Sequence, residues 1–192
     1  MASFISLPDA KQALNITNST SDAELQLFID AACDEVEQWV GPVAMRLVTG
    51  EFVDLMGRTI FNELTTAGTR AFVLRHRPVQ SIQAISSAIL AGVTYAPTDF
   101  IIDTGTGIVR RGDGGTIFGP LTVDYTVGYA VAPAWAQLAA RIILQHLWRT
   151  QRGAGTQRGQ AAQETLIPGI GFAIPGQAAE LLEPHRVTPG IG

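Results

Sequence analysis

Two long stretches of the chain have the apolar spacing of amphipathic helices, and they lie far apart in the sequence. Apolar residues recur at three- and four-residue steps over 22–40 and again over 133–151, a spacing that places them on one face of an α-helix. A chain with this pattern can bury both faces by packing the two helices together as a bundle. In the second stretch the apolar face is expected to comprise Trp135, Leu138, Ala139, Ile142, Ile143 and Leu147.

Capping residues and proline mark where the predicted helices begin. Ser6 and Asp9 have the three-residue spacing of a capping box, and Ser21 and Glu24 repeat it. Pro133 is a residue favoured in the first turn of a helix. Together with the apolar spacing, these signals predict helices over 6–14, 22–40 and 133–151.

The sequence between the two long helices has a different pattern. Over about 44–127 it consists of short β-rich runs separated by turn residues. The Gly-rich connections 103–107 and 112–115 supply residues that adopt the positive φ angles of tight turns. We therefore expect an antiparallel β section inserted between the helices, and the fold class α+β. The helices and this insertion form one predicted domain over 1–152.

The chain beyond the last long helix changes composition twice. Residues 150–153 are echoed by 156–159 without large apolar side chains, which predicts a flexible linker over 153–165. Residues 166–192 are apolar but interrupted by Gly and Pro, with room for at most two helical turns over 176–183. An apolar segment after a linker predicts an extended C-terminal docking tail; the alternative is that it folds back onto its own domain.

Composition limits the functions open to the chain. Its 192 residues are 46% apolar and 16% charged, typical of a folded protein with a sizeable core. The formal charge of −4 has the wrong sign for binding nucleic acid through the overall field. Cys33 is the only cysteine and the three histidines are far apart, so we expect no metal or cofactor. No apolar run approaches the roughly 20 residues that cross a bilayer, so no membrane partner is expected.

One short sequence resembles a catalytic motif. Residues 101–105 read Ile-Ile-Asp-Thr-Gly, which resembles the active-site loop of aspartic proteases, with Asp103 as the catalytic carboxylate. Those enzymes share a proton between two carboxylates and also need a hydrophobic-hydrophobic-Gly element far down the chain. The nearest candidate, 117–119, follows Asp103 by only 14 residues. A turn between strands is favoured, and a protease or a monomeric ligand-binding β module is kept as the alternative function.

Charge is unevenly distributed along the chain. Residues 1–40 hold seven acidic residues against one lysine, whereas residues 141–158 hold four arginines and no acid. Either the two poles pair within one subunit, or the acidic face of one subunit meets the basic face of the next. A head-to-tail contact of the second kind closes into a ring if the rotation per step divides a circle. The predicted ring contacts join Asp30, Asp34 and Glu37 to Arg141, Arg149 or Arg152 of a neighbour.

Several motifs in a fixed order resemble a known family. Leu7–Leu14 reads LPDAKQAL, Ser21–Leu25 reads SDAEL, Arg77–Ile82 reads RPVQSI and Val123–Tyr129 reads VDYTVGY. Over about residues 5–152 this order resembles the head-tail connector family of long-tailed bacteriophages, also called head completion or head-to-tail adaptor proteins. The stretch Gly171–Pro175 is similar to the C-terminal ends of adaptors from actinobacterial phages.

The resemblance implies a structural virion protein rather than an enzyme. It implies a ring, dodecameric like the portal, that lies under the portal vertex, extends the DNA channel and joins the DNA-filled head to the tail. The implied partners are other copies of the chain, the portal protein and a downstream connector, stopper or tail-terminator protein. DNA would pass through the lumen without sequence-specific binding, and the protein would occupy the host cytoplasm only during assembly. We assign portal docking to Ile167, Phe172, Ile174, Leu181 and Leu182.

Overall fold

The chain forms two compact units. The computed structural model describes residues 3–53, 68–87, 94–152 and 174–187. The described residues of 1–43 and 132–188 form a helical unit, and those of 44–131 form a β unit. The α+β class predicted from the sequence is confirmed. None of the helices in the described ranges is both long and apolar enough to cross a membrane.

The helical unit is built from both ends of the chain. Its helices are α1 (Leu7–Leu14), α2 (Asp22–Val40), α3 (Ala134–Arg152) and α4 (Gly176–Leu182), the last continued by a 3-10 turn over Glu183–His185. Helix α2 packs against α3, α1 contacts both of them, and α4 packs mainly against α3. The buried residues of α2 follow helical spacing, as Leu25, Ile29, Val36 and Val40 illustrate. Burial of these apolar faces therefore brings together segments that are distant in the sequence.

The two predicted helix caps differ in the structure. The Ser6 hydroxyl oxygen accepts a hydrogen bond from the Asp9 backbone N–H at 3.3 Å and donates to the Asp9 carboxylate at 2.6 Å. The Ser21 side chain makes no capping bond, so this part of the second predicted capping box is wrong. Its backbone, at φ −112° and ψ 13°, is not in the extended conformation that aims a capping side chain at the first-turn amides.

The C-terminal residues also differ from the extended tail that the sequence predicted. Ala178 and Leu182 are four residues apart, so they lie on one side of α4, and both are fully buried. Two helical turns are too short to be stable alone. Packing against α3 supplies the missing stabilisation, so the alternative in which this segment folds back holds for these residues. The predicted linker over 153–165 lies outside the described residues.

The β unit contains antiparallel strands, as predicted. They are β1 (Arg46–Val53), β2 (Gly68–Thr69), β3 (Ala71–Val73), β4 (Val79–Ser87), β5 (Thr94–Tyr95), β6 (Phe100–Ile102), β7 (Ile108–Arg111), β8 (Ile117–Phe118) and β9 (Leu121–Val127). Sheet order is β1-β9-β4-β5 in the largest sheet and β3-β7-β6 in the second, with β2 paired to β8. Every strand pair is antiparallel.

Strand β9 lies at the centre of the largest sheet and supplies much of the core. Alternate residues point to opposite faces of a strand. Accordingly Leu121, Val123, Tyr125 and Val127 are fully buried, while the residues between them are partly exposed. The buried face belongs to one apolar cluster with Leu74, which follows β3, and with residues of the other strands, including Phe72, Ile82, Ile85, Phe100 and Val109.

The Tyr125 hydroxyl is buried but satisfied by hydrogen bonds. It donates to the carboxylate of Glu51 and accepts from the backbone N–H of His76 at 3.3 Å. The other Glu51 oxygen accepts from the backbone N–H of Arg75 at 2.9 Å. Burial and the neighbouring Glu51 raise the pKa of Tyr125 above its ordinary value, so the hydroxyl keeps its proton and remains a donor.

Gly128 allows two segments of the β unit to approach closely. Its φ is +92°, and a Cβ placed there would lie 2.4 Å from the carbonyl oxygen of Ala44. Ala44 and Tyr129 form a parallel bridge at this point. Only glycine meets both requirements, which explains this position of the Val123–Tyr129 motif physically.

We predict that Gly128→Ala strongly destabilises the protein. The matched control is Gly50→Ala, because Gly50 also has a positive φ, +70°, but has no atom within 4 Å of an added Cβ. The control should show only the backbone cost, about 1–2 kcal/mol. Urea unfolding monitored by circular dichroism should give a clearly larger loss for Gly128→Ala. Equal losses would mean that the contact with Ala44 has no energetic importance.

Candidate functional site

The outward face of α2 combines acidic residues with one exposed leucine. Leu27 is 69% exposed although it lies in the middle of an amphipathic helix. Asp34 follows it by seven residues, which is about two helical turns, so both lie on the same side. Ala31 on this side is also exposed. This surface, defined by Leu27, Ala31 and Asp34 with Asp30 at its edge, is called the acidic face below.

The outward face of α3 combines arginines with a second exposed leucine. Leu138 is 49% exposed and Ile142 is only half-buried, so the prediction that both belong to the buried helix face is wrong. Helical spacing places Arg149 on the same side of α3 as Leu138, about three turns further along, and the Arg149 side chain is exposed. Arg141 flanks this side, and its Nε atom is buried without a hydrogen-bond partner. The surface formed by Leu138, Ile142, Arg141 and Arg149 is called the basic face below.

The predicted ring residues occupy different environments. The Asp30 carboxylate accepts a hydrogen bond from Gln26 Nε2 at 2.9 Å, and the Glu37 carboxylate accepts one from the backbone N–H of Val43 at 2.8 Å. Glu37 therefore has a local role at the end of α2. Asp34 and Arg149 make no hydrogen bond or ion pair within the described parts of this chain. The side chain of Arg152, the last residue of α3, lies outside those parts.

One intramolecular ion pair of the helical unit joins two residues outside the predicted ring contacts. Lys11 Nζ lies 2.5 Å from Asp22 Oδ1, which links α1 to the start of α2. The lone lysine among the first forty residues is thus paired locally. The acidic face and the basic face keep their opposite charges at the surface of the helical unit.

The C-terminal segment is attached to the helical unit by aromatic contacts. The His185 ring stacks on Trp135 with centroids 4.0 Å apart and planes 9° apart. The Arg186 guanidinium lies 5.3 Å from the ring centroid of Trp39, a cation–π geometry. The backbone N–H of Val187 donates to the Trp39 carbonyl at 3.2 Å. Residues 185–187 therefore extend the attachment that α4 begins.

The five predicted docking residues differ in how deeply they are buried, and two of them lie outside the described residues. Ile174 and Leu181 are half-buried, while Leu182 is fully buried inside the helical unit. Ile167 and Phe172 lie outside the described residues. In this conformation Leu182 is a core residue, so docking through it would require α4 to leave α3.

Asp103 is engaged in its own turn between β6 and β7. Its Oδ1 atom accepts hydrogen bonds from the backbone N–H groups of Gly105 at 3.1 Å and Thr106 at 3.2 Å. The bonds with Thr106, with a further contribution from Gly105, lower the pKa of the exposed Asp103 carboxyl. A proton shared between two carboxylates requires the opposite shift for one of them. The geometry explains the Asp-Thr-Gly string as a turn.

Exposed apolar side chains also occur on the β unit, where sequence reasoning placed no site. Leu47 and Phe52 are exposed on β1, an edge strand of the largest sheet, and Val73 and Ile101 are exposed on the second sheet. In the helical unit, the position of Leu27 among acidic residues could have revealed its exposure from the sequence. Leu138 gave no such signal, because it continues the apolar spacing of α3.

The fold of this chain also occurs in another protein of known structure. A helical unit made from both chain ends and interrupted by an antiparallel β unit is also the fold of a chain in a solved structure described as the neck of an empty GTA particle computed with C6 symmetry. The TM-score is 0.60 with 15% sequence identity, and the match covers 100% of this chain and 95% of that one. At this identity the likeness concerns the fold alone.

The sequence itself assigns the family. A family model described as head completion protein matches residues 3–188. The chain therefore belongs to the head completion protein family, which confirms the resemblance seen in its motifs. No curated protein matches the chain in sequence.

We predict that Asp103 is important for its turn and for no reaction. Asp103→Ala should accelerate hydrogen exchange at the Gly105 and Thr106 amides, because it removes their common acceptor. Asp103→Asn should keep the exchange slow, since an Asn side-chain oxygen accepts the same bonds. Amide exchange measured by NMR tests both variants. A peptide-cleaving activity that Asp103→Asn abolishes would instead support the protease alternative.

Proposed function

We propose that this protein is a head-to-tail adaptor of a phage-like particle. The family match over residues 3–188 carries the proposal, because it spans both units and most of the chain. In this role copies form a ring under the portal vertex, extend the DNA channel and join the DNA-filled head to the tail. The ring would be dodecameric to match the portal, and the protein would be located in the finished virion at the head-tail interface.

The surface chemistry supports a role in assembly rather than in catalysis. Two oppositely charged helix faces and several exposed apolar side chains are features of surfaces that bind other proteins. The net charge of −4 favours passage of DNA over retention, because phosphates are repelled by a negative field. Asp103, the candidate for an enzymatic role, is occupied within its turn. In the described residues, no observation supports the alternative of a monomeric ligand-binding β module.

The partners follow from this position in the particle. The portal protein would bind on the head side, and a downstream connector, stopper or tail-terminator protein would bind on the other. We assign Ile174 and Leu181 to portal docking, because apolar side chains that are only half-buried can still contact a partner. Ile167 and Phe172 are assigned to the same docking surface on their sequence alone. Leu182 is assigned to the attachment of α4 and supports docking only indirectly.

The adaptor role predicts a defined assembly defect. A phage or phage-like producer that lacks this protein should accumulate DNA-filled heads and free tails, and the wild-type gene should restore joined particles. Negative-stain microscopy with counts of joined and separate structures measures the effect. Complementation by Asp103→Asn should equal wild type, because the role needs no catalytic carboxylate. Normal joined particles without the protein would refute the proposal.

The docking assignment predicts that two adjacent leucines behave differently. Leu182→Ala should lower the free energy of unfolding by about 2–5 kcal/mol, because it leaves a cavity under α4. Leu181→Ala should change stability little but weaken attachment to the cognate portal protein. Urea unfolding and light scattering of the portal mixture separate the two effects. Unchanged attachment for Leu181→Ala would remove Leu181 from the docking surface. Deleting the whole segment is less informative, because it also exposes the core.

A further inference from the structure

The acidic face and the basic face cannot meet within one copy of the helical unit. Helices α2 and α3 pack against each other through their buried sides. Leu27 and Leu138 lie opposite the buried residues of their helices and so point away from the contact between α2 and α3. Gln145, on the same side of α3 as Leu138, donates a hydrogen bond to the Ala13 carbonyl of α1 at 3.0 Å, so α1 approaches part of this side. Two separate copies can bring them together, with the acidic face of one against the basic face of the next.

The two faces also match in their apolar content. Each has a single leucine that is about half exposed or more, Leu27 at 69% and Leu138 at 49%. Stable interfaces place apolar residues at the centre and charged residues at the rim. On the acidic face Asp34 lies about two turns from Leu27, and on the basic face Arg141 lies about one turn and Arg149 about three turns from Leu138.

We propose that the subunit contact of the ring is heterologous, with Leu27 and Asp34 of one copy bound to Leu138 and Arg149 of the next. This inference rests on the proposed function and specifies the contact that the ring would use. In an open row of subunits joined in this way, one acidic face stays free at one end and one basic face stays free at the other. Such a row adds further subunits until the ring closes, provided that the rotation per subunit divides a full circle.

Unsatisfied groups at the surface explain why a second copy fits. Asp34 and Arg149 have no hydrogen-bond or ion-pair partner in the described parts of their own chain. Guanidinium groups form two parallel hydrogen bonds with a carboxylate, which fixes orientation as well as charge. Glu37 is not part of this contact, because its carboxylate caps the Val43 backbone N–H at 2.8 Å. Asp30 remains at the edge, partly occupied by Gln26.

Cross-linking between engineered cysteines tests the contact directly. The native Cys33 is buried, and burial raises the pKa of its thiol, so it reacts slowly with maleimides. The double variant Leu27→Cys with Leu138→Cys is bound to the cognate portal and treated with a short bis-maleimide. We expect the bound subunits to shift from the monomer band to a ladder of covalent oligomers. Each single variant should remain monomeric, because a heterologous contact never brings two identical positions together.

The controls distinguish this proposal from the function on which it rests. Leu47→Cys with Leu138→Cys keeps the chemistry but moves one thiol to an exposed leucine of the β unit, and it should give no ladder. Portal attachment is measured in the same samples by light scattering. Attachment without a ladder, or dimers from a single variant, would overturn the heterologous contact and leave the adaptor role intact. Failure to attach at all, in wild type as well, would overturn the adaptor role and this inference with it.

Discussion

The structure depends on a close contact at the point where the chain enters and leaves the β unit. Ala44 and Tyr129 pair there, and the missing side chain of Gly128 makes room for the Ala44 carbonyl. The β unit is an insertion between α2 and α3, so its first and last residues must lie near each other. A glycine at one position thus permits a whole β unit to interrupt a helical unit without separating its two long helices.

Burial within the helical unit also decides what remains available for assembly. Packing of α1, α2, α3 and α4 consumes the apolar sides of these helices and leaves one acidic and one basic side at the surface. Ion pairs within the unit, such as Lys11 with Asp22, do not neutralise the acidic side or the basic side. The family to which the chain belongs supplies the context in which such surfaces would act, the completion of a virus-like head.

Local signals predicted the helical elements closely. The spacing over 22–40 coincides with α2, Asp22–Val40, and the predicted helix over 133–151 is displaced by one residue from α3, Ala134–Arg152. Alternation of buried and exposed residues was equally clear in β9. The errors arose where local pattern and tertiary packing disagree. Ser21 has the right residue type for a cap but the wrong backbone angles, and Leu138 has the right spacing for burial but no helix packed over it.

The sequence alone determined the α+β class, the order of helices and strands, the family and the separation of acidic from basic residues. These properties depend on residue type and on spacing between near neighbours, which the sequence records directly. Only the tertiary structure decided that α4 packs back onto α3, that Leu182 is buried while Leu27 is exposed, and that Glu37 accepts a hydrogen bond from the Val43 backbone N–H. The physical reason is that burial and hydrogen bonding depend on which distant segments come together, and near-neighbour spacing carries no information about that.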